Sequence, residues 1–161
     1  MPSANEGTVA HASSLPLAGL EAGTLGVLAM LAWLGVSAAW QRRSFWTAAN
    51  LMASTFYGDS AIHSGFASST FSGLALYFSL YGALGSLFAA LIRARARGAR
   101  LLLAGLLFGV GWYYLSFAVI WKKASPLVWL LHSERQTVLG HCIYGGLLAR
   151  FPRFLRREDR G

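Results

Sequence analysis

The chain has 161 residues, of which 55% are hydrophobic and only 12% are charged, and its formal net charge is +8. A soluble domain of this size carries about twice that charged fraction, so the composition excludes an ordinary water-soluble fold and indicates one small membrane domain. The basic charge does not indicate nucleic-acid binding, because the arginines follow apolar runs or lie on a polar tail, where they orient helices and contact anionic lipid. The single cysteine, Cys142, excludes an internal disulfide.

The amino-terminal segment 1–17 contains neither Lys nor Arg. It therefore lacks the basic region of a signal peptide, and its Pro, Ser, Ala and Gly content predicts a mobile tail. The membrane domain then extends over 18–152. Its first predicted span is 22–40, which has no charged residue.

The segment 44–69 is ambiguous. Residues 44–58 lack charge but include several polar side chains, and they are too few to cross a bilayer comfortably. The pattern is compatible with an interfacial amphipathic helix, a re-entrant hairpin, or a further crossing through 45–58.

The second and third predicted spans are 70–92 and 101–121, charge-free runs of 23 and 21 residues. At about 1.5 Å per residue, each helix reaches roughly the 30 Å thickness of the hydrocarbon core. The short connection between them predicts a tight helical hairpin. Four arginines in this connection are expected to contact lipid headgroups: Arg93, Arg95, Arg97 and Arg100.

A fourth span is predicted over 134–151. Ser133 and Gln136 fit a capping box, in which the serine caps the helix and the glutamine reaches back to the cap. Pro152 is expected to end this helix, whose roughly 18 residues suffice for a thin bilayer. A basic tail, 153–161, follows.

The distribution of Lys and Arg predicts the orientation. Four crossings with the amino terminus inside place nine basic residues on the inner side and five on the outer side. Five crossings would place eleven inside and three outside, but the polar stretch 45–58 is a poor span. We therefore expect an all-α, polytopic four-helix membrane bundle with a re-entrant or interfacial segment between its first two helices. Both arrangements place the carboxyl terminus in the cytoplasm.

Small residues recur at four-residue spacing in every predicted span. Such pairs let membrane helices approach closely, either within one chain or against another protein. The pairs are Gly19/Gly23, Gly82/Ser86, Gly105/Gly109 and Gly145/Ala149.

His141 is the clearest ionisable residue inside a predicted span, and such residues are candidates for function. Its imidazole is able to ligate a haem or a pigment, to bind a metal together with Cys142, or to relay protons. Alternatively, it simply forms a hydrogen bond with a neighbouring helix. No other predicted span carries a histidine, so no resident cofactor is predicted.

A second group of candidate ligands falls on the outer side of the four-crossing arrangement. Two imidazoles and two carboxylates suit zinc or another divalent metal, although their spacing equally fits solvated loops. These residues are Asp59, His63, His132 and Glu134. The sequence contains no GxSxG, P-loop or GxGxxG pattern, so we expect a protein that is not an enzyme.

Three stretches, 43–53, 73–78 and 141–145, carry a resemblance. In this order and spacing they resemble small uncharacterised bacterial membrane proteins with four predicted helices. The resemblance covers most of 24–149 and implies four helices with a loop or half-helix at 44–69. Such proteins often have His where this chain has Tyr77, a departure that removes a partner for His141.

Together these observations predict a non-enzymatic, multi-pass protein of the bacterial inner membrane. We expect an accessory or assembly subunit whose partners are the lipid bilayer and other membrane proteins. There are two alternatives: a small oligomeric transporter or permease, and a haem or pigment carrier that uses His141.

Overall fold

A computed structural model, which is 85% helical, describes residues 4–93 and 96–158 of the chain. The described ranges contain no β-strand, which confirms the all-α fold. Three helical segments are long and apolar enough to cross a membrane: Leu15–Trp40, Ser68–Ile92 and Ala99–Ala124. These segments contain the first three predicted spans and make the chain a candidate membrane protein.

Nine α-helices follow one another along the described residues, and a six-residue π-helix, Ser116–Trp121, lies between the fifth and the sixth. The α-helices are α1 (Ala4–Trp40), α2 (Thr47–Tyr57), α3 (Ser60–His63), α4 (Ser68–Ile92), α5 (Ala99–Leu115), α6 (Lys122–Ala124), α7 (Pro126–Leu131), α8 (Glu134–Leu148) and α9 (Phe151–Glu158).

Helix α1 begins at Ala4, inside the segment 1–17 that the composition assigns to a tail. The helix continues through Pro16 to Trp40. The helix range does not test whether this segment is mobile, so its mobility stays a prediction.

The fourth predicted span differs from helix α8. This helix ends at Leu148, and α9 begins at Phe151 with Pro152 in its first turn. Proline is favourable there because the first turn of a helix leaves its N–H groups without internal partners. Pro152 therefore helps to begin a helix instead of ending one. The 15 residues of α8 span about 22 Å, and α8 is not among the three candidate spans.

The predicted capping box at Ser133 is wrong. Ser133 does occupy the N-cap position of α8, but its side chain forms no capping hydrogen bond. Its hydroxyl instead accepts a long hydrogen bond of 3.5 Å from Arg43 Nη1. The backbone carbonyl of Ser133 accepts a hydrogen bond of 2.8 Å from the Thr137 hydroxyl.

Helices α4, α1, α8 and α5 pack side by side in that order. Gly19 of α1 lies against Gly85 and Ala89 of α4, whereas Gly23 lies against Tyr81, so α1 and α4 run antiparallel. Helix α8 is antiparallel to α1 as well, because the Trp33 indole donates to the Gln136 carbonyl (2.9 Å) while Gly26 meets the Tyr144 ring.

Helices α5 and α8 form a second glycine contact. A Cβ atom at Gly105 would overlap the Gly145 carbonyl oxygen, and one at Gly109 would overlap the His141 carbonyl oxygen. The amide nitrogen of Ala149 lies 3.6 Å from the Cβ position of Gly105. Only glycine permits backbones to approach this closely.

The predicted pair on α4 also packs within the chain. A Cβ atom at Gly82 would lie 2.9 Å from the Leu20 side chain, and the Ser86 hydroxyl donates to the Pro16 carbonyl at 2.8 Å. The small residues predicted for helix packing therefore contact other helices of this same chain. Gly85, which is not among the predicted pairs although Ala89 follows it at the same four-residue spacing, lies at the centre of the α1–α4 contact.

The alternating helix directions give the molecule two ends. The connections 41–67 and 122–133 lie at one end, called the cavity end below. The connection between α4 and α5 lies at the other end with α9, called the α9 end below.

The ambiguous segment 44–69 packs on α4 at the cavity end. A Cβ atom at Gly73 would overlap the Ala49 carbonyl, so α2 lies directly against α4. Asn50 is 1% exposed; its amide donates to the carbonyls of Ser64 (3.1 Å) and Gly65 (2.7 Å). The buried Thr70 hydroxyl donates to Asn50 Oδ1 at 2.7 Å. One side chain therefore joins α2 to the loop before α4 and to α4 itself.

Candidate functional site

His141 lies in the interior of the molecule, with 1% of its surface exposed. Its Nδ1 is 2.7 Å from the Thr137 carbonyl and its Nε2 is 2.8 Å from the Tyr81 hydroxyl. Because a carbonyl only accepts, Nδ1 carries the hydrogen and Nε2 accepts from the phenol in the neutral tautomer that fits this geometry. Both ring nitrogens are thus engaged by the protein.

Tyr81 is held in place from two directions. Its hydroxyl meets His141, while its backbone carbonyl accepts a hydrogen bond of 2.6 Å from the Tyr144 hydroxyl. His141 and Tyr144 are three residues apart on α8, so both side chains point toward α4. Tyr77, one turn before Tyr81, stacks on it with ring centroids 5.7 Å apart.

A second imidazole repeats the same pattern at the cavity end. His132 precedes α8, and its Nδ1 lies 2.7 Å from the Trp129 carbonyl while its Nε2 lies 3.3 Å from the Tyr113 hydroxyl. The Phe117 ring packs 4.1 Å from the His132 ring. Phe117 belongs to the π-helix, a kind of local widening that often lies at functional sites.

The two imidazole–phenol pairs adjoin each other. The Tyr113 ring lies 5.3 Å from the His141 ring and 6.2 Å from the His132 ring. We call the residues Tyr81, Tyr113, His132 and His141 the imidazole–phenol cluster. Sequence reasoning selected both histidines, but no spacing rule pairs them with tyrosines on α4 and α5.

A small cavity opens beside this cluster at the cavity end, with a volume of about 50 Å³. Gln41, Arg43, His132 and Gln136 contribute polar side chains to its wall, and Tyr77 contributes an aromatic one. A cavity of this size holds about three water molecules. A second groove, of about 400 Å³ and open to the surface, meets the cluster at Tyr113 and His132.

The four predicted metal ligands are not gathered at one place. His63 and Asp59 form an exposed pair at 3.6 Å, whereas His132 and Glu134 line one open groove elsewhere at the same end. Among the residues that the structure describes, no group of three or more His, Cys, Asp or Glu side chains is placed to hold a metal ion. Metal binding by these residues stays a prediction and requires rearrangement.

Cofactor ligation by His141 also stays a prediction. A haem iron bound to Nε2 would have to displace the Tyr81 hydroxyl. A haem iron bound to Nδ1 would have to displace the Thr137 carbonyl. Cys142 is a free, half-buried thiol next to His141 in the chain.

Three of the predicted headgroup arginines, Arg93, Arg97 and Arg100, are exposed at the α9 end. Arg95 lies outside the described residues. The Arg93 guanidinium donates to the carbonyl of Ala90 in its own helix at 3.2 Å.

Comparison with known proteins finds no family model, no curated protein and no solved structure that matches this chain.

Proposed function

We propose that this protein is a non-enzymatic accessory subunit that packs through α5 against a helix of another membrane protein. The observation that carries the proposal is Gly111, near the middle of the span Ala99–Ala124. No heavy atom lies within 4 Å of the position that its Cβ would occupy. All other glycines of the three candidate spans meet another part of the chain within that distance.

Large apolar side chains surround Gly111 on the outer face of α5. Leu107, Tyr114 and Leu115 are 64%, 58% and 52% exposed, and they stand one helical turn from Gly111. The span that contains them is 28% buried, against 44% and 39% for the other two. A glycine among large residues forms a notch into which the backbone of a second helix can pack closely. Flexible lipid chains pack against a helix without such a notch.

The proposal includes a topology. Antiparallel packing of α1 with α4 and of α8 with α1 and α5 supports four crossings, with α8 as the fourth and α2–α3 as an interfacial or re-entrant segment. The exposed arginines at the α9 end support a cytoplasmic location for that end and for the carboxyl terminus, as expected in a bacterial inner membrane.

The absence of a catalytic role is part of the same proposal. Both nitrogens of His141 are engaged by hydrogen bonds, and only 1% of the residue's surface is exposed. The cluster therefore better fits a structural joint inside a small subunit.

Site-specific photo-crosslinking in native membranes tests the docking face. We expect a photoreactive residue at 107 or 111 to give an adduct with another membrane protein. A photoreactive residue at Ala83, which is exposed on α4, serves as the control and should give no such adduct.

Substitution provides the matched measurement. Gly111→Leu should fill the notch and reduce recovery of the partner in mild detergent, whereas Ala83→Leu should leave it unchanged. Adducts only with lipid or with a second copy of this chain, or equal loss of the partner in both variants, would overturn the proposal.

A second candidate function is proton movement through the imidazole–phenol cluster. The cavity beside His132 favours it, because water that enters this cavity can exchange protons with the imidazole. Proteoliposomes with an internal pH dye should then show a proton flux that His141→Ala removes. Flux equal to that of protein-free vesicles would exclude this role.

A further inference from the structure

A groove at the α9 end lies outside both the cluster and the α5 docking face. Its volume is about 540 Å³, and it is open to the surface. Two arginines from distant parts of the chain line it: Arg97 before α5 and Arg153 on α9. Both side chains are exposed, and no ion pair engages either guanidinium among the side chains that the structure describes.

The rest of the groove is mainly apolar. Leu101, Ala149, Pro152 and Leu155 contribute to its walls. Helix α9 holds this wall in place, because Phe151 is fully buried and Leu155 packs against the core. The groove therefore combines two cationic groups with an apolar surface.

We propose that this groove binds the headgroup of an anionic phospholipid. A guanidinium pairs with phosphate oxygens through two parallel hydrogen bonds, and two arginines together suit a group that carries net negative charge. The leucine and proline walls are placed to contact the first methylenes of an acyl chain. Basic pockets between membrane helices on the cytoplasmic side commonly hold such lipids.

The structure separates Arg97 from the other arginines of its connection. Arg93 and Arg100 are exposed at the same end of the molecule but do not line the groove. A general attraction between basic loops and anionic membranes would involve all of them equally. The groove assigns the specific contact to Arg97 together with Arg153.

Native mass spectrometry of the full chain, purified in neutral detergent, provides the test. Phosphatidylglycerol is the anionic probe and phosphatidylcholine the zwitterionic one. We expect one phosphatidylglycerol to bind roughly tenfold more tightly than phosphatidylcholine, because only the anionic headgroup matches two guanidinium groups. The double variant R97Q/R153Q should lose this preference.

The control is R93Q/R100Q, which removes the same charge from the same end and should retain the preference. Equal loss in both double variants, or equal binding of the two lipids by the unmodified protein, would overturn the proposal. Glycerol phosphate and inorganic phosphate distinguish a lipid from a free anion. Displacement of the lipid by millimolar amounts of either would identify a free-phosphate site and overturn the lipid assignment.

Discussion

The helices of this protein are joined in two different ways. Along the α1–α4 and α5–α8 contacts, backbones touch at Gly19, Gly85, Gly105 and Gly145. Between α4 and α8, in contrast, side chains meet through the Tyr81–His141 hydrogen bond. The first kind of contact depends on the volume of a residue, and the second depends on its chemistry.

The difference follows from the solvent that a membrane provides. Lipid is as apolar as a leucine side chain, so burial of apolar surface contributes little to helix association. Close backbone packing supplies van der Waals contact along a whole helix, whereas one buried hydrogen bond contributes about 0.6 kcal/mol on average and at most about 1.7 kcal/mol. We therefore expect glycine substitutions to destabilise the protein more than the loss of single hydrogen bonds.

Gly105→Val should have the largest effect. Its side chain would overlap the Gly145 carbonyl and force α5 away from α8. Overpacking of this kind costs about 3 kcal/mol, measured as the free energy of unfolding in mixed detergent micelles.

Gly111→Val is the matched control on the same helix. Open space surrounds Gly111, so this variant should differ from the unmodified protein by less than about 1 kcal/mol. Valine has a higher helix propensity than glycine, so similar losses at both positions could not come from propensity and would contradict the α5–α8 contact as the cause.

Asn50→Ala should have the second largest effect, because Asn50 forms three hydrogen bonds at once. At about 0.5–1.5 kcal/mol for each hydrogen bond, we expect a loss of about 2 kcal/mol. Hydrogen exchange should accelerate at 64–67, since the amide of Asn50 holds the carbonyls of Ser64 and Gly65. Gln41→Ala, which removes an exposed hydrogen bond within a single helix, should leave exchange at 64–67 unchanged. Unchanged exchange in both variants would mean that α2 packing alone fixes this loop.

The sequence predicts some of these features and not others, for physical reasons. Charge-free runs locate α4 and the α5 span to within a few residues, because length and apolarity alone determine a crossing. Four-residue spacing identifies pairs of small residues but does not rank them. The predicted pair on α4 is Gly82 and Ser86, yet Gly85 and Ala89 have the same spacing and also lie against Gly19, since tertiary packing decides which face meets the neighbouring helix. The end of α8 was missed because proline is compatible with both the end of one helix and the start of the next.

The imidazole–phenol cluster shows the same limit. A histidine in an apolar run indicates a buried polar contact, but its partner comes from α4, 60 residues earlier in the chain. In lipid, hydrophobic periodicity does not distinguish a tyrosine that faces the interior from one that faces lipid. Tyr81 and Tyr114 are therefore equivalent in the sequence, although one is 2% and the other 58% exposed.

Tyr81→Phe should have a moderate effect, because it removes the donor to His141 and preserves the ring. We expect a loss of about 1 kcal/mol in the free energy of unfolding. In the double variant Tyr81→Phe/His141→Phe, the loss of unfolding free energy should be smaller than the sum of the losses in the two single variants, because the two residues interact directly. Tyr114→Phe on the exposed face is the control and should leave the free energy of unfolding unchanged. Strict additivity would contradict a direct Tyr81–His141 interaction.

Ser86→Ala should have the smallest effect and is the most direct test of the comparison. Ser86 lies within the glycine contact of α1 with α4, yet its hydroxyl also donates to the Pro16 carbonyl at 2.8 Å. Alanine preserves the small volume and removes only the hydrogen bond, so we expect a loss of about 0.6 kcal/mol. If Ser86→Ala instead destabilises the protein as much as Gly105→Val, hydrogen bonding would hold this contact together. The α1–α4 contact would then depend on the chemistry of Ser86 and not only on the small volume of the residues in it, which would contradict the comparison drawn above.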